Sequence, residues 1–139
     1  IIGILAAIAV PLLTGNTEEA KANSTKMNHQ SAASFMNVEY TKCGGGMQTH
    51  IELNGANYLK CGSGNHSAQY WVNILSTHGY SNPYNAKLVG IQAGGGSTPG
   101  QVYIRGGGNK CTALFTIVTY GTEKGNPTKA MQAVVKRQC

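Results

Sequence analysis

Four cysteines, four histidines and five glutamates are the residues of this 139-residue chain best suited to covalent, metal or acid–base chemistry. Cys43, Cys61, Cys111 and Cys139 admit either two disulfides or a share in a metal site. Structural zinc sites take their cysteines in closely spaced pairs. No two cysteines here are close, and among His29, His50, His66 and His78 only His66 follows a cysteine within five residues. Oxidation to disulfides is the expected chemistry. The carboxylates are Glu18, Glu19, Glu39, Glu52 and Glu123, with no Asp at all. A glycosidase pair or a calcium cage needs clustered acids, and this chain has almost none to cluster. Ser67, His78 and a Glu sit in no nucleophile motif. The Gly triplets lack the Lys and the strand-to-helix setting of a phosphate cradle. No catalytic residue, metal, cofactor or small-molecule substrate is expected.

The elements that position the cysteines follow from pattern. Thr112–Tyr120 (TALFTIVTY) and Ala130–Arg137 (AMQAVVKR) read as strands, with Gly121 and Gly125-Asn126-Pro127 as turn material. An antiparallel hairpin centred on Gly125 sets opposite each other residues whose numbers sum to 250, and Cys111 and Cys139 do so. Opposed residues have Cα atoms about 4.5–5.5 Å apart, within disulfide reach. Of three connectivities this selects Cys111–Cys139, and Cys43–Cys61 by elimination. Upstream, good helix formers run from Thr14 to about Tyr40. Ala20, Ser24, Met27, Ser31, Ser34 and Val38 mark a small-residue stripe, widened by Phe35 and Met36. Cys43-Gly44-Gly45-Gly46 ends the helix.

Between these parts the signals are shorter. Met47–Leu53 alternates as a short strand or an irregular connection. Asn65-His66-Ser67 is placed to cap a second helix, Ala68 to His78, with Trp71, Ile74, Leu75 and His78 on one face. Lys87–Gln92 and Gln101–Arg105 read as further strands. Three or four antiparallel strands covered by helix make an α+β fold. Tyr58, Tyr70, Trp71, Tyr80, Tyr84 and Tyr103 are candidates for stacking sugars or single-stranded DNA, but the expectation is that most of them fill the core. Asn23-Ser24-Thr25 and Asn65-His66-Ser67 match the N-glycosylation pattern.

Charged residues make up only 12% of the chain and Gly numbers 19, which describes a neutral, loop-rich surface. The net charge is +6 with Lys and Arg scattered, so only weak attraction to DNA or anionic surfaces is expected. The N-terminal end is different. Ile1 to Leu13 contains no charged or hydrogen-bonding side chain. As helix it would reach about 20 Å, short of the ~20 residues that cross a bilayer. A signal peptide has an apolar region of similar length, but no basic segment precedes Ile1 and no clean cleavage site follows. Such a run must be covered by lipid, by a partner or by copies of itself.

Residues 1–11, IIGILAAIAVP, resemble the inner part of the N-terminal segment of bacterial type IV pilins, a segment shared with the pseudopilins of type II secretion. The match covers eleven contiguous residues, including Gly3 and Pro11. It implies a preceding apolar stretch with a glutamate, which this sequence does not contain. The implied fold is pilin-like: a long N-terminal helix, kinked or melted near Gly3–Pro11, packed on a small antiparallel sheet. Residues 1–42 would form the helix, 1–13 its filament-core part, and 43–139 a disulfide-bonded head. Pro11 removes a backbone donor, so Gly3, Pro11 and Gly15 mark the expected helix break. Ile1, Ile2, Ile4, Leu5, Ile8, Val10, Leu12 and Leu13 are the expected filament-core interface. The implied function is a structural subunit, the major pilin of an extracellular pilus, held in the inner membrane before assembly. The alternatives are a pseudopilin, whose major forms hold calcium on C-terminal acids where this chain has only Glu123 after Tyr80, or a minor pilin binding DNA or glycans.

Overall fold

Alternating apolar residues near the C-terminus build the sheet on which the rest is laid. The computed structural model describes residues 17–139. In chain order the elements are α1 (Ile2–Gly44), β1 (His50–Leu53), β2 (Ala56–Lys60), β3 (His66–Ser67), α2 (Ala68–Ser76), β4 (Ile91–Ala93), β5 (Val102–Gly108), β6 (Leu114–Tyr120) and β7 (Ala130–Lys136). The expected helix break at Gly3, Pro11 and Gly15 lies outside the described residues. The larger sheet runs β3-β5-β6-β7, with β4 also paired to β5; β1 and β2 form a separate hairpin. The architecture is α+β, one long helix and one short helix on a mainly antiparallel sheet.

The β6–β7 register runs from Leu114 opposite Lys136 to Tyr120 opposite Ala130, the offset that the hairpin reading required. Inward-facing Phe115, Ile117 and Thr119 lie against Gly106, Ile104 and Val102 of β5 and Val135, Ala133 and Met131 of β7. Against this face pack Met36 and Tyr40 of α1 and Trp71, Ile74 and Leu75 of α2, all buried. Fully burying one such side chain is worth about 1.5–3 kcal/mol, so this layer is the main source of stability. The disulfides Cys43–Cys61 and Cys111–Cys139 have Cα separations of 5.4 and 5.5 Å. They tie the end of α1 to the end of β2, and the approach to β6 to the C-terminus.

Four local features correct or add to the expectations. The expected stripe of α1 is its outer face: Ala20, Ser24, Met27, Ser31, Ser34 and Val38 are exposed, Met27 by 65% and Val38 by 51%. The buried face is Ala22, Thr25, His29, Ala32, Met36, Glu39, Tyr40 and Cys43. It includes polar side chains that find partners: Thr25 Oγ1 donates to Lys21 O at 2.8 Å, and His29 Nδ1 lies 2.8 Å from Thr119 Oγ1. Hydrogen bonding makes such burial tolerable, which an apolar count cannot register. Second, β1 and β2 meet through Asn54-Gly55, with φ of 52° and 78°, a two-residue turn of the type in which both residues take positive φ. Third, α2 is capped at Ser67 without a side-chain hydrogen bond and ends at Ser76, leaving His78 exposed beyond it.

The fourth is the direction of β4, which joins β5 in parallel, Ile91 beside Val102 and Ala93 beside Ile104. A parallel neighbour requires the chain to travel back along the sheet, and strands this short allow a brief return. The return crosses the outer face. There Gly96 touches the ring of Tyr103, so closely that a Cβ would collide with it. Tyr103 Oη donates to Gln101 Oε1 at 2.7 Å and accepts from the Thr98 amide at 3.1 Å, which leaves Tyr103 buried beside the likewise buried Val118. The helix α1 closes with paired amides, Gly46 N to Cys43 O and Met47 N to Lys42 O, around the positive φ of Gly46.

The two helix faces predict unequal mutational costs. Met36→Ala should lower the unfolding free energy by about 2–5 kcal/mol and Met27→Ala by less than about 0.5 kcal/mol, read by urea denaturation. Equal losses would refute this orientation of α1.

Candidate functional site

The structure gathers a polar cluster where α1, α2 and the loop from Cys61 to Asn65 converge. Trp71 Nε1 donates to Tyr40 Oη at 2.9 Å, and Tyr40 Oη lies 2.9 Å from His66 Nδ1. His66 Nε2 lies 2.9 Å from Lys60 O. A carbonyl can only accept, so Nε2 carries the ring proton, Nδ1 accepts, and Tyr40 donates to it. The relay is thus complete with His66 neutral. Burial holds the His66 pKa below its ordinary value, and the nearby Arg137 charge acts in the same direction. Burial likewise pushes the Tyr40 phenol up, so it stays protonated and able to donate.

Behind this relay lies Arg137, fully buried and, among the described residues, without a carboxylate partner. Its Nη1 donates to Gly64 O and Gly108 O, both at 2.9 Å, and its Nη2 to Cys61 O and Ser63 O at 3.3 Å. Four carbonyl dipoles take the place of a counter-ion, and of its nitrogens Nε alone has no partner among the described residues. The single side chain joins the end of β7 to the Cys61–Gly64 loop and to the end of β5. A charge buried in this way is costly unless its donors are satisfied. Its role is to hold the loop in place rather than to react.

On the solvent side of that loop is a cleft of about 260 Å³, lined by Tyr58, Lys60, Ser63, Asn65, His66 and Tyr70. Two further clefts lie on either side of the contact between Phe35 and His78, whose ring centroids are 4.7 Å apart. In one of them Glu39 is paired with Lys42 at 2.9 Å and accepts from Gln48 Nε2 at 2.9 Å. Among the described residues no group of three or more His, Cys or Glu side chains is placed to hold a metal ion.

The cysteines are brought together in the two expected pairs. The expected filament-core residues Ile1, Ile2, Ile4, Leu5, Ile8, Val10, Leu12 and Leu13 lie outside the described residues. Of the aromatic candidates, Trp71 and Tyr103 are core, Tyr58, Tyr80 and Tyr84 are half-buried, and Tyr70 remains 39% exposed. Arg137, Tyr40 and His66 had no sequence signal as a cluster, since 26 and 71 positions separate them along the chain. Charge is also sorted by position. Residues 1–42 hold three Glu and three Lys, while residues 43–139 hold two Glu and eight Lys or Arg, so the basic excess belongs to the head. Among the described residues no helix is long and apolar enough to cross a membrane.

No protein-family model matches this chain, and no curated protein or solved structure does.

Two measurements follow from the buried polar groups. Arg137→Met strands four carbonyls and should cost about 3 kcal/mol of stability, read by thermal or urea unfolding with both disulfides intact. His29 and His66 are both held below their ordinary pKa of 6.5 by burial. The unfolded chain therefore takes up protons first as pH falls, and stability present above about pH 6.5 is lost progressively below it. Urea midpoints at pH 7.5 and 5.0 should show this fall, and His29→Gln should reduce the difference between them. A pH-independent midpoint would contradict neutral burial of the two rings.

Proposed function

We propose that this chain is a structural subunit of an extracellular type IV pilus, the major pilin of a filament built from identical copies. The observation that carries this reading is the apolar run Ile1–Leu13, a feature of the sequence that precedes helical turns resting on a disulfide-bonded head. Burying one of its large side chains contributes about 1.5–3 kcal/mol. Eight of them exceed what the sparse, weakly charged surface of the head can supply.

The described residues support the reading in two ways. Helix α1 uses one face for its own sheet and leaves the Ala20, Ser24, Met27, Ser31, Ser34 and Val38 face open along the same rod. Small side chains on such a face allow neighbouring helices to approach closely. The sheet and its C-terminal disulfide lie at the other end of the chain, where they would form the outer surface. In this reading the helix rests in the inner membrane before assembly and transfers from lipid to the filament core. The role is assembly, serving surface attachment, motility or DNA uptake, without turnover of a substrate.

Electron microscopy of sheared surface material, with mass spectrometry of the fibres, tests the proposal. Filaments containing this chain are expected from cells making the natural sequence. Ile8→Glu should abolish them while leaving the disulfides and the circular dichroism of the head unchanged. Dispersed single molecules and bare cells with the natural sequence would end the proposal.

A further inference from the structure

The cleft bounded by Tyr58, Lys60, Ser63, Asn65 and Tyr70 has the attributes of a built recognition site. Tyr58 and Tyr70 meet edge to face, ring centroids 5.7 Å apart and planes at 83°. Tyr58 is not free to turn: Gln69 Nε2 donates to Asn73 Oδ1 at 2.9 Å, and Asn73 Nδ2 donates to Tyr58 Oη at 3.0 Å. That hydroxyl accepts from Asn73 and retains its own proton to give. Tyr70 is 39% exposed on α2, whereas the other aromatic residues of the described chain are buried or half-buried.

The opposite wall is equally constrained. The loop from Cys61 to Asn65 is held at its start by the Cys43–Cys61 disulfide, and from behind by Arg137 on the carbonyls of Cys61, Ser63 and Gly64. His66 Nε2 closes it onto Lys60 O. These restraints use the backbone carbonyls and leave side chains outward. Lys60, Ser63 and Asn65 make no side-chain hydrogen bond or ion pair to another described residue. The backbone of this wall and the Tyr58 ring are fixed in advance, so a ligand has only the exposed Lys60, Ser63 and Asn65 side chains to order.

We propose that this cleft binds a single acidic sugar unit, the C–H face of a pyranose on Tyr70 and its carboxylate on Lys60. Ser63, Asn65 and the Tyr58 hydroxyl bond the ring hydroxyls. The volume of about 260 Å³ suits one ring rather than a chain of them. The cleft contains one cation and no arginine side chain. It therefore matches one carboxylate, whereas a nucleic-acid track needs successive cations along a phosphate backbone. The site lies on the head, and its occupation is independent of filament assembly.

Saturation-transfer difference NMR on the full chain, with glucuronate and glucose as probes, tests this. Glucuronate should receive saturation, strongest at its C–H protons, whether the chain is dispersed or assembled. Tyr70→Ala should abolish the transfer and Tyr70→Phe should retain it. Lys60→Gln should weaken glucuronate about tenfold and leave glucose unaffected. Equal melting temperatures of the variants establish that the fold is intact. Absence of transfer to glucuronate, or transfer that survives Tyr70→Ala, overturns the proposal. So does Tyr70-dependent binding of an oligothymidylate with none of glucuronate.

Discussion

A buried guanidinium with no acid to meet it sets the terms for the head. Arg137 donates to carbonyls of Gly64, Gly108, Cys61 and Ser63, and so draws the C-terminal strand, the end of β5 and the first disulfide loop to one point. The chain has five glutamates, and none lies within ion-pairing distance of Arg137 among the described residues. Backbone dipoles perform the compensation instead, and they do so only if the loop adopts one shape. Directly after that loop, His66 of β3 accepts from Tyr40 of α1, and Tyr40 accepts from Trp71 of α2. Polar satisfaction therefore couples both helices to the sheet with a specificity that apolar contact alone does not supply.

Around that point the apolar layer is conventional in chemistry. Met36, Trp71, Ile74, Leu75, Ile104, Phe115, Ile117 and Val135 exclude water between the helices and the sheet. Helix α1 contributes only a narrow face to it, and part of that face is polar, as Thr25 and His29 show. The other face remains unused within the monomer. Under the proposed function, the apolar leading run and this open small-residue face would pack against the same parts of neighbouring copies. This is the physical content of the pilin resemblance, and it stands apart from the cleft at Tyr58 and Tyr70, which belongs to the head.

Legibility varied with the range of the interaction that decided each feature. The β6–β7 register was readable because a hairpin pairs residues close in sequence about one centre, which also placed Cys111 by Cys139. The end of α1 was readable because only Gly46 takes its positive φ cheaply. The β1–β2 hairpin carried a local signal too, Asn54-Gly55 between strand-like residues, that the sequence reading passed over. The buried face of α1 was misread because apolarity was the criterion and His29 is buried by virtue of Thr119, ninety positions away.

Composition and local pattern were thus enough to specify an α+β chain with two disulfides, few acids and an apolar leading end. Each of those rests on residue chemistry or on contacts within one turn or hairpin. Tertiary structure alone decided that β4 runs parallel to β5, that Tyr103 is covered by the returning loop, and that Arg137 sits among carbonyls. It also decided which tyrosine remains in solvent beside Lys60. These outcomes depend on groups far apart in the chain competing for the same partners and the same volume, and that competition is resolved only when the whole sheet and both helices are in place.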